Sequence, residues 1–173
     1  VDTSGVGLHK RGYRVCDVAA PIKETLAAAM IQLSFWRKDR ILLDPCTGSG
    51  TIPIEAAMIA RNIAPGLNRS FACQEWEFID EKFWKEEKKA AFEAIDYDSE
   101  LKIYGFDINR KAVDAAKENA EEAGVDDCIV FKKADASKLR PIGENGIIIT
   151  NPPYGERIGE EEEIRQIYDG FNR

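Results

Sequence analysis

The sequence predicts an α/β fold, a parallel sheet with helices on both faces, and three observations carry that expectation. Short apolar runs recur along the chain: Ile41-Leu42-Leu43, Ile103 to Phe106, Ile129 to Phe131 and Ile147 to Thr150. Segments with helical spacing separate most of them, as expected of buried strands alternating with helices. Each run leads to a polar cluster, marked in turn by Asp44, Asp107, Asp135 and Asn151. Ligands of open parallel sheets sit beyond the carboxyl ends of the strands, so these clusters should share one edge.

The elements follow in order. From Pro21 to Trp36, Ile22, Leu26, Met30 and Leu33 fall at helical spacing, with Pro21 suited to the first turn, which predicts a helix covering the core on that face. The run at Ile41 to Leu43 ends at Asp44-Pro45, and a glycine-bearing loop leads into a helix over Ile52 to Ile59. The stretch from Asn62 to Leu101 holds Phe71, Trp76, Phe78, Phe83, Trp84 and Phe92 and is too aromatic for a disordered linker. We read it as a loop and a helix from about Asp80 to Ile95 folded on the sheet edge. The second strand, at Ile103 to Phe106, is followed by a helix from about Arg110 that Gly124 can end. The third strand is Ile129 to Phe131, and the fourth runs into Asn151-Pro152-Pro153-Tyr154, where two prolines forbid further ladder pairing. The acidic run Glu160 to Glu163 reads as the N-terminus of one more helix.

Composition narrows the function. At 173 residues and 44% hydrophobic content, the chain can bury one core. It has no apolar run long enough to cross a bilayer and a polar start, so the expectation is a soluble protein of the cytoplasm. Cys16, Cys46, Cys73 and Cys128 are scattered and His9 is the sole histidine, which argues against a zinc site or a disulfide framework; no metal is expected. The net charge of −7 speaks against a chain that is a nucleic-acid clamp throughout. Yet up to Arg40 the bases outnumber the acids, and Lys10, Arg11 and Arg14 beside Tyr13 form a group that could meet phosphate or a base. A solvated terminus is the plainer reading of that group. The chain begins at Val1 without methionine and stops after four strands and one further helix, so the expectation is one domain over residues 1–173, with 62–101 as an aromatic insertion, truncated after the fourth strand.

Four features carry chemistry. Asp44-Pro45-Cys46-Thr47-Gly48-Ser49-Gly50-Thr51 puts glycines at a strand-to-helix turn, where backbone can approach a ligand. It lacks the Gly-Lys-Ser/Thr of a P-loop, and Pro53 stands where a dinucleotide fingerprint needs a third small residue. Asp107 can accept both hydrogen bonds of a ribose diol, or it can simply cap the next helix. Asp135 can accept from an adenine amino group, or be a turn carboxylate. The sharpest signal is Asn151-Pro152-Pro153-Tyr154. The exocyclic amine of a base is a poor nucleophile because its lone pair is delocalised into the ring. The Asn151 side-chain oxygen and the Pro152 carbonyl could favour a pyramidal nitrogen and offset its growing positive charge, while Tyr154 offers a ring for stacking.

Together these residues resemble class I methyltransferases of the amino-group type, which carry a glycine-rich first motif and an Asn-Pro-Pro-Tyr fourth motif. More closely, the chain is similar to the catalytic domain of bacterial 23S rRNA guanine-N2 methyltransferases, a group also labelled N6-adenine-specific DNA methylases. The resemblance runs nearly end to end, through Leu8 to Arg14, Ala20 to Leu26, Asp44 to Glu55, Ala64-Pro65-Gly66 and Asn151 to Arg157. It implies a Rossmann-like fold with S-adenosylmethionine held by Asp44, Thr47, Gly48, Gly50, Asp107 and Asp135 and bordered by Asn151. It further implies that Asn151, Pro152, Pro153 and Tyr154 grip the target amine, that ribosomal RNA is the partner, and that an RNA-binding THUMP domain precedes Val1. The nearest rival is an adenine-N6 enzyme of the same chemistry on DNA or RNA. A noncatalytic cofactor- or RNA-binding module is the other, though a pure binder has no need of paired acceptors.

Overall fold

The computed structural model describes residues 1–16, 21–140 and 142–152, together with Arg165. Four parallel strands, β1 (Leu42–Asp44), β2 (Ile103–Asp107), β3 (Ile129–Lys133) and β4 (Ile147–Ile148), form a sheet in the order β3-β2-β1-β4. The register pairs Leu42 with both Ile103 and Ile147, and Ile103 with Ile129. The ladder continues past β4, where the Ile149 N–H donates to the Leu43 carbonyl at 3.1 Å. The expected alternation of strand and helix is therefore a Rossmann-like sheet. Its strand order reverses between β1 and β4, and the crevice at such a switch point is where ligands of open α/β sheets bind.

Helix α2 (Thr51–Ala60) lies at the centre and is buried from Thr51 through Met58. It contacts β1, β2 and β3, as well as α1 (Glu24–Leu33) and α4 (Arg110–Glu122). Pro53 costs it little, because the N–H it lacks belongs to a first turn with no helical acceptor. Gly50, at its N-cap, has φ 85°, and a Cβ there would lie 2.9 Å from Ala116 Cβ and 3.0 Å from Phe131 Cζ. Gly50→Ala should therefore lower stability by about 1–3 kcal/mol, through overpacking and a backbone that L-residues disfavour. Urea unfolding of the variant measures this, and an unchanged midpoint would show that α4 yields freely.

Helix α1 departs from expectation. The predicted inward residues Leu26 and Leu33 are 54% and 88% exposed, whereas Glu24, Ala27, Ala28 and Ile31 are buried. The small alanines admit α2 closely, and Glu24 turns inward to meet Arg14, so the inward face is set by neighbours rather than by bulk. Pro21 lies before the helix, not in its first turn, since Lys23 is extended and its carbonyl accepts the first bonds, from Leu26 and Ala27. The helix also stops before Trp36: the Ser34 hydroxyl donates to the Ile31 carbonyl at 2.7 Å and caps the last turn.

The aromatic insertion contains the predicted helix, α3 (Glu81–Glu93), with Asp80 as its N-cap accepting from the Lys82 N–H. It is seated against the ends of α1 and α2 rather than on a sheet edge. Asn62 Nδ2 donates to the Ala94 carbonyl, Asp96 N–H to the Arg61 carbonyl, and Ala91 and Ala94 line a cavity with Gln32, Met58 and Ile63. No residue of α3 is fully buried, and Trp84 stacks on Phe71 at 6.1 Å to hold it.

Candidate functional site

The site is built where β1 and β4 end. Asp44, the last residue of β1, is 1% exposed, and its Oδ1 accepts from the Thr150 hydroxyl at 2.7 Å and the Cys46 N–H at 3.2 Å. The loop then winds through Thr47, whose N–H donates to the Phe106 carbonyl at 2.8 Å, and through Gly48 and Gly50, both in the left-handed region. Gly48 donates its N–H to Asp107 Oδ2 at 2.9 Å, and Asn109 donates to Oδ1 at 2.8 Å. One carboxylate thus ties the glycine loop to the end of β2. The helix cap that Asp107 could have been is Asn109, which accepts from the Lys111 N–H.

Burial pushes the Asp44 carboxyl up to about 7, although Thr150 and the Cys46 N–H favour its charged form. An unfolded aspartate titrates near about 3.9. The folded chain therefore holds this proton to higher pH, and the group's contribution to stability falls as pH rises from about 4 to about 7, then stays flat. Asp44→Asn keeps an acceptor for Thr150 and removes the titration. Compared by urea unfolding, the variant should gain on the wild-type chain between pH 5 and pH 8; a constant difference would show that Asp44 titrates normally.

Asp135 stands after β3 and caps the short turn Ala136–Lys138. Its Oδ1 accepts from the Ser137 N–H and hydroxyl, its Oδ2 pairs with Lys138 at 2.9 Å, and these bonds hold its carboxyl below the usual range. The turn role is thus visible in the geometry. Asn151 and Pro152 are half-buried at the end of the β4 segment, directly after Thr150. Pro153, Tyr154 and the acidic run at Glu160 to Glu163 lie outside the described residues.

The basic group at the N-terminus is placed otherwise than expected. Arg11 reaches Glu55 on α2 at 3.4 Å with both Nε and Nη2, and its side chain is 12% exposed. Tyr13 is buried and its hydroxyl donates to Glu55 Oε1 at 3.0 Å. Arg14 pairs with buried Glu24 at 3.3 Å and donates to the Ile22 carbonyl and the Thr51 hydroxyl. Both arginines thus turn to the interior: two buried glutamates require counter-charges, and the N-terminal strap of residues 11–16 supplies them. Lys10 stays exposed.

Sequence reasoning missed Glu24, Glu55 and Asn119. Asn119, fully buried on α4, accepts from the N–H groups of Val15 and Cys16 and donates to the carbonyls of Cys16 and Ser49. It joins the strap to the glycine loop. The visible signal was a polar residue on the otherwise apolar face of α4, alongside Ala112, Val113, Ala115, Ala116 and Ala120.

A parallel sheet whose glycine loop meets the Asn151 segment at the switch point, with acidic residues at the ends of β1 and β2 and after β3, defines a Rossmann-like α/β domain with its ligand site at the strand carboxyl ends. The chain belongs to the UPF0020 family, described as RMKL-like, methyltransferase domain, whose profile matches residues 11–173. It is 51% identical over 168 residues to the Bacillus subtilis (strain 168) protein named "Putative RNA methyltransferase YpsC", across 97% of this chain and 44% of that protein. To "Ribosomal RNA large subunit methyltransferase K/L" of Shewanella baltica (strain OS195) it is 49% identical over 170 residues, across 95% of this chain and 24% of that one. Among solved structures, SMU.472, titled "a putative methyltransferase complexed with SAH", superposes with a TM-score of 0.89 at 45% identity, across 98% of this chain and 44% of that one. The chain spans less than half the length of these relatives. The resemblance read from the sequence holds at the level of the family.

Proposed function

We propose that this chain is the S-adenosylmethionine-binding part of a cytoplasmic RNA methyltransferase, and that its target is the exocyclic amine of a base, guanine N2 in 23S rRNA. The observation that carries the reading is the junction of the two motifs: the 2.7 Å bond from Thr150 to Asp44 puts Asn151 and Pro152 beside the start of the glycine loop. Methyl donor and amine acceptors then share one crevice. The relatives named for RNA and rRNA methylation, and the structure titled with SAH, support it.

The residues present fit this cofactor. Asp107 and Asp135 make the strand ends acidic, and the loop from Pro45 to Gly50, which follows Asp44, carries no lysine or arginine. That set repels a pyrophosphate and suits a ligand with cationic and hydroxyl groups. Each Asp107 oxygen already accepts one backbone N–H and keeps a lone pair for a ribose hydroxyl. The adenine amino group falls to Asp135, whose Oδ2 is shared with Lys138. Thr47, Gly48 and Gly50 shape the floor. When bound, S-adenosylmethionine supplies a methyl group on a positively charged sulfur.

Asn151 and Pro152 accept from the amine hydrogens and favour a pyramidal nitrogen whose lone pair leaves conjugation with the ring, and the motif's Pro153 and Tyr154 supply a fixed φ and a ring for the base to stack on. Lys10 meets RNA phosphate; Arg11 and Arg14 hold the strap that presents it. The whole protein, as the resemblance implies, carries a THUMP domain for RNA binding. Nucleoside mass spectrometry of rRNA from cells lacking the full-length protein should show the loss of one N2-methylguanosine. Loss of N6-methyladenosine would move the target to adenine, and an unchanged rRNA profile would overturn the reading.

A further inference from the structure

We propose that Thr150 and Asp44 form a positioning pair that sets the Asn151 and Pro152 acceptors in register with the glycine loop, so that Thr150 governs the methyl-transfer step without holding the cofactor. The inference rests on the proposed methyltransferase reading and assigns within it a residue that neither motif includes. A single carboxylate oxygen, Asp44 Oδ1, receives both the Thr150 hydroxyl at 2.7 Å and the Cys46 N–H at 3.2 Å. One atom therefore belongs to both loops: Cys46 leads to the glycine turn and Thr150 directly precedes Asn151.

The sheet itself holds Asn151 weakly. Strand β4 is a two-residue strand at one end of the described sheet, paired with β1 only at Leu42–Ile147 and Leu43–Ile148 among the described residues and flanked by the bonds from the Ile147 N–H to the Ile41 carbonyl and from the Ile149 N–H to the Leu43 carbonyl. Among the described residues the Thr150 side-chain bond is the last tie before Asn151. Pro152 then fixes the following φ, so a rotation at Thr150 swings both acceptors together. Asp44 is a firm anchor because it is 1% exposed and has no solvent to exchange with. A hydrogen bond in such a site is electrostatically stronger than one in water.

The test uses the full-length protein with Thr150→Val, which keeps the shape and removes the donor, and Thr150→Ser, which keeps the donor. Three quantities are read: S-adenosylmethionine affinity by calorimetry, the single-turnover methylation rate at saturating cofactor and RNA, and amide hydrogen exchange at Asn151. Thr150→Val should slow methylation roughly 10–100-fold, as small displacements of positioned groups do, with cofactor affinity nearly unchanged and faster exchange at Asn151. Thr150→Ser should restore both rate and protection. The inference is overturned by a valine variant with wild-type rate and exchange, by a rate loss that tracks weaker cofactor binding, or by a serine variant as impaired as valine, which would point to packing of the γ-methyl. If the wild-type protein methylates no RNA, the functional reading fails, while exchange at Asn151 still decides whether Thr150 positions it.

Discussion

Asn151→Ala in the full-length protein should lower turnover by about 10²–10³, or roughly 2.7–4 kcal/mol in the barrier, by analogy with the loss of one preorganised oxyanion-hole donor. The amine must lose conjugation with its ring as it attacks in line, and the charge it gains has to be met by acceptors already in place. Pro152 supplies a second acceptor from the backbone, so the variant loses one partner of two. The glycine loop is untouched: its bonds run to Asp44, Asp107, Phe106 and Asn119, and none of them reaches Asn151. Cofactor affinity should therefore change little. Single-turnover methylation measured beside calorimetry separates the two effects. A variant that methylates normally, or one whose defect lies in cofactor binding, would remove Asn151 from the transition state.

Arg11→Met should destabilise the fold by about 3 kcal/mol at neutral pH, because it removes the counter-charge from Glu55, which is 2% exposed, and leaves it the Tyr13 hydroxyl. Burial already raises the Glu55 carboxyl above its usual value, and Arg11 is the largest influence holding it down. Without Arg11 the carboxyl rises further. The folded variant then holds its proton where the unfolded chain has lost it, so the deficit grows as pH rises through the unfolded glutamate range and shrinks as pH falls. Glu55→Gln in the same chain keeps an acceptor for Tyr13 and removes the charge, and it should recover most of the loss. Urea unfolding at pH 5 and pH 8 reads both effects. A pH-independent loss that Gln leaves uncorrected would assign Arg11 to packing and not to charge.

Most of the site was legible because its residues lie at strand ends. Asp44, Asp107, Asp135 and Asn151 each follow an apolar run, and in a parallel sheet every such end faces the same way. Chain direction thus gathers them without any knowledge of contacts. Less legible was what each carboxylate does there. Asp107 reads as a choice between ribose acceptor and helix cap, and the structure gives the cap to Asn109, two residues on. Glu55 stands in an apolar helix and reads as one polar residue among many, since its partners Tyr13 and Arg11 lie 42 and 44 positions away.

The sequence by itself determined the alternation of strand and helix, the glycine turn after β1 and the polar edge, because periodicity, glycine and proline act over a few residues. The tertiary structure decided which side of α1 is buried, where α3 rests, and that Arg11 and Arg14 point inward. Those outcomes depend on partners far apart in the chain, such as Asn119 and Val15, 104 positions apart. A buried charge or amide takes its place from the one group able to satisfy it, and helical or strand periodicity does not record where that group is.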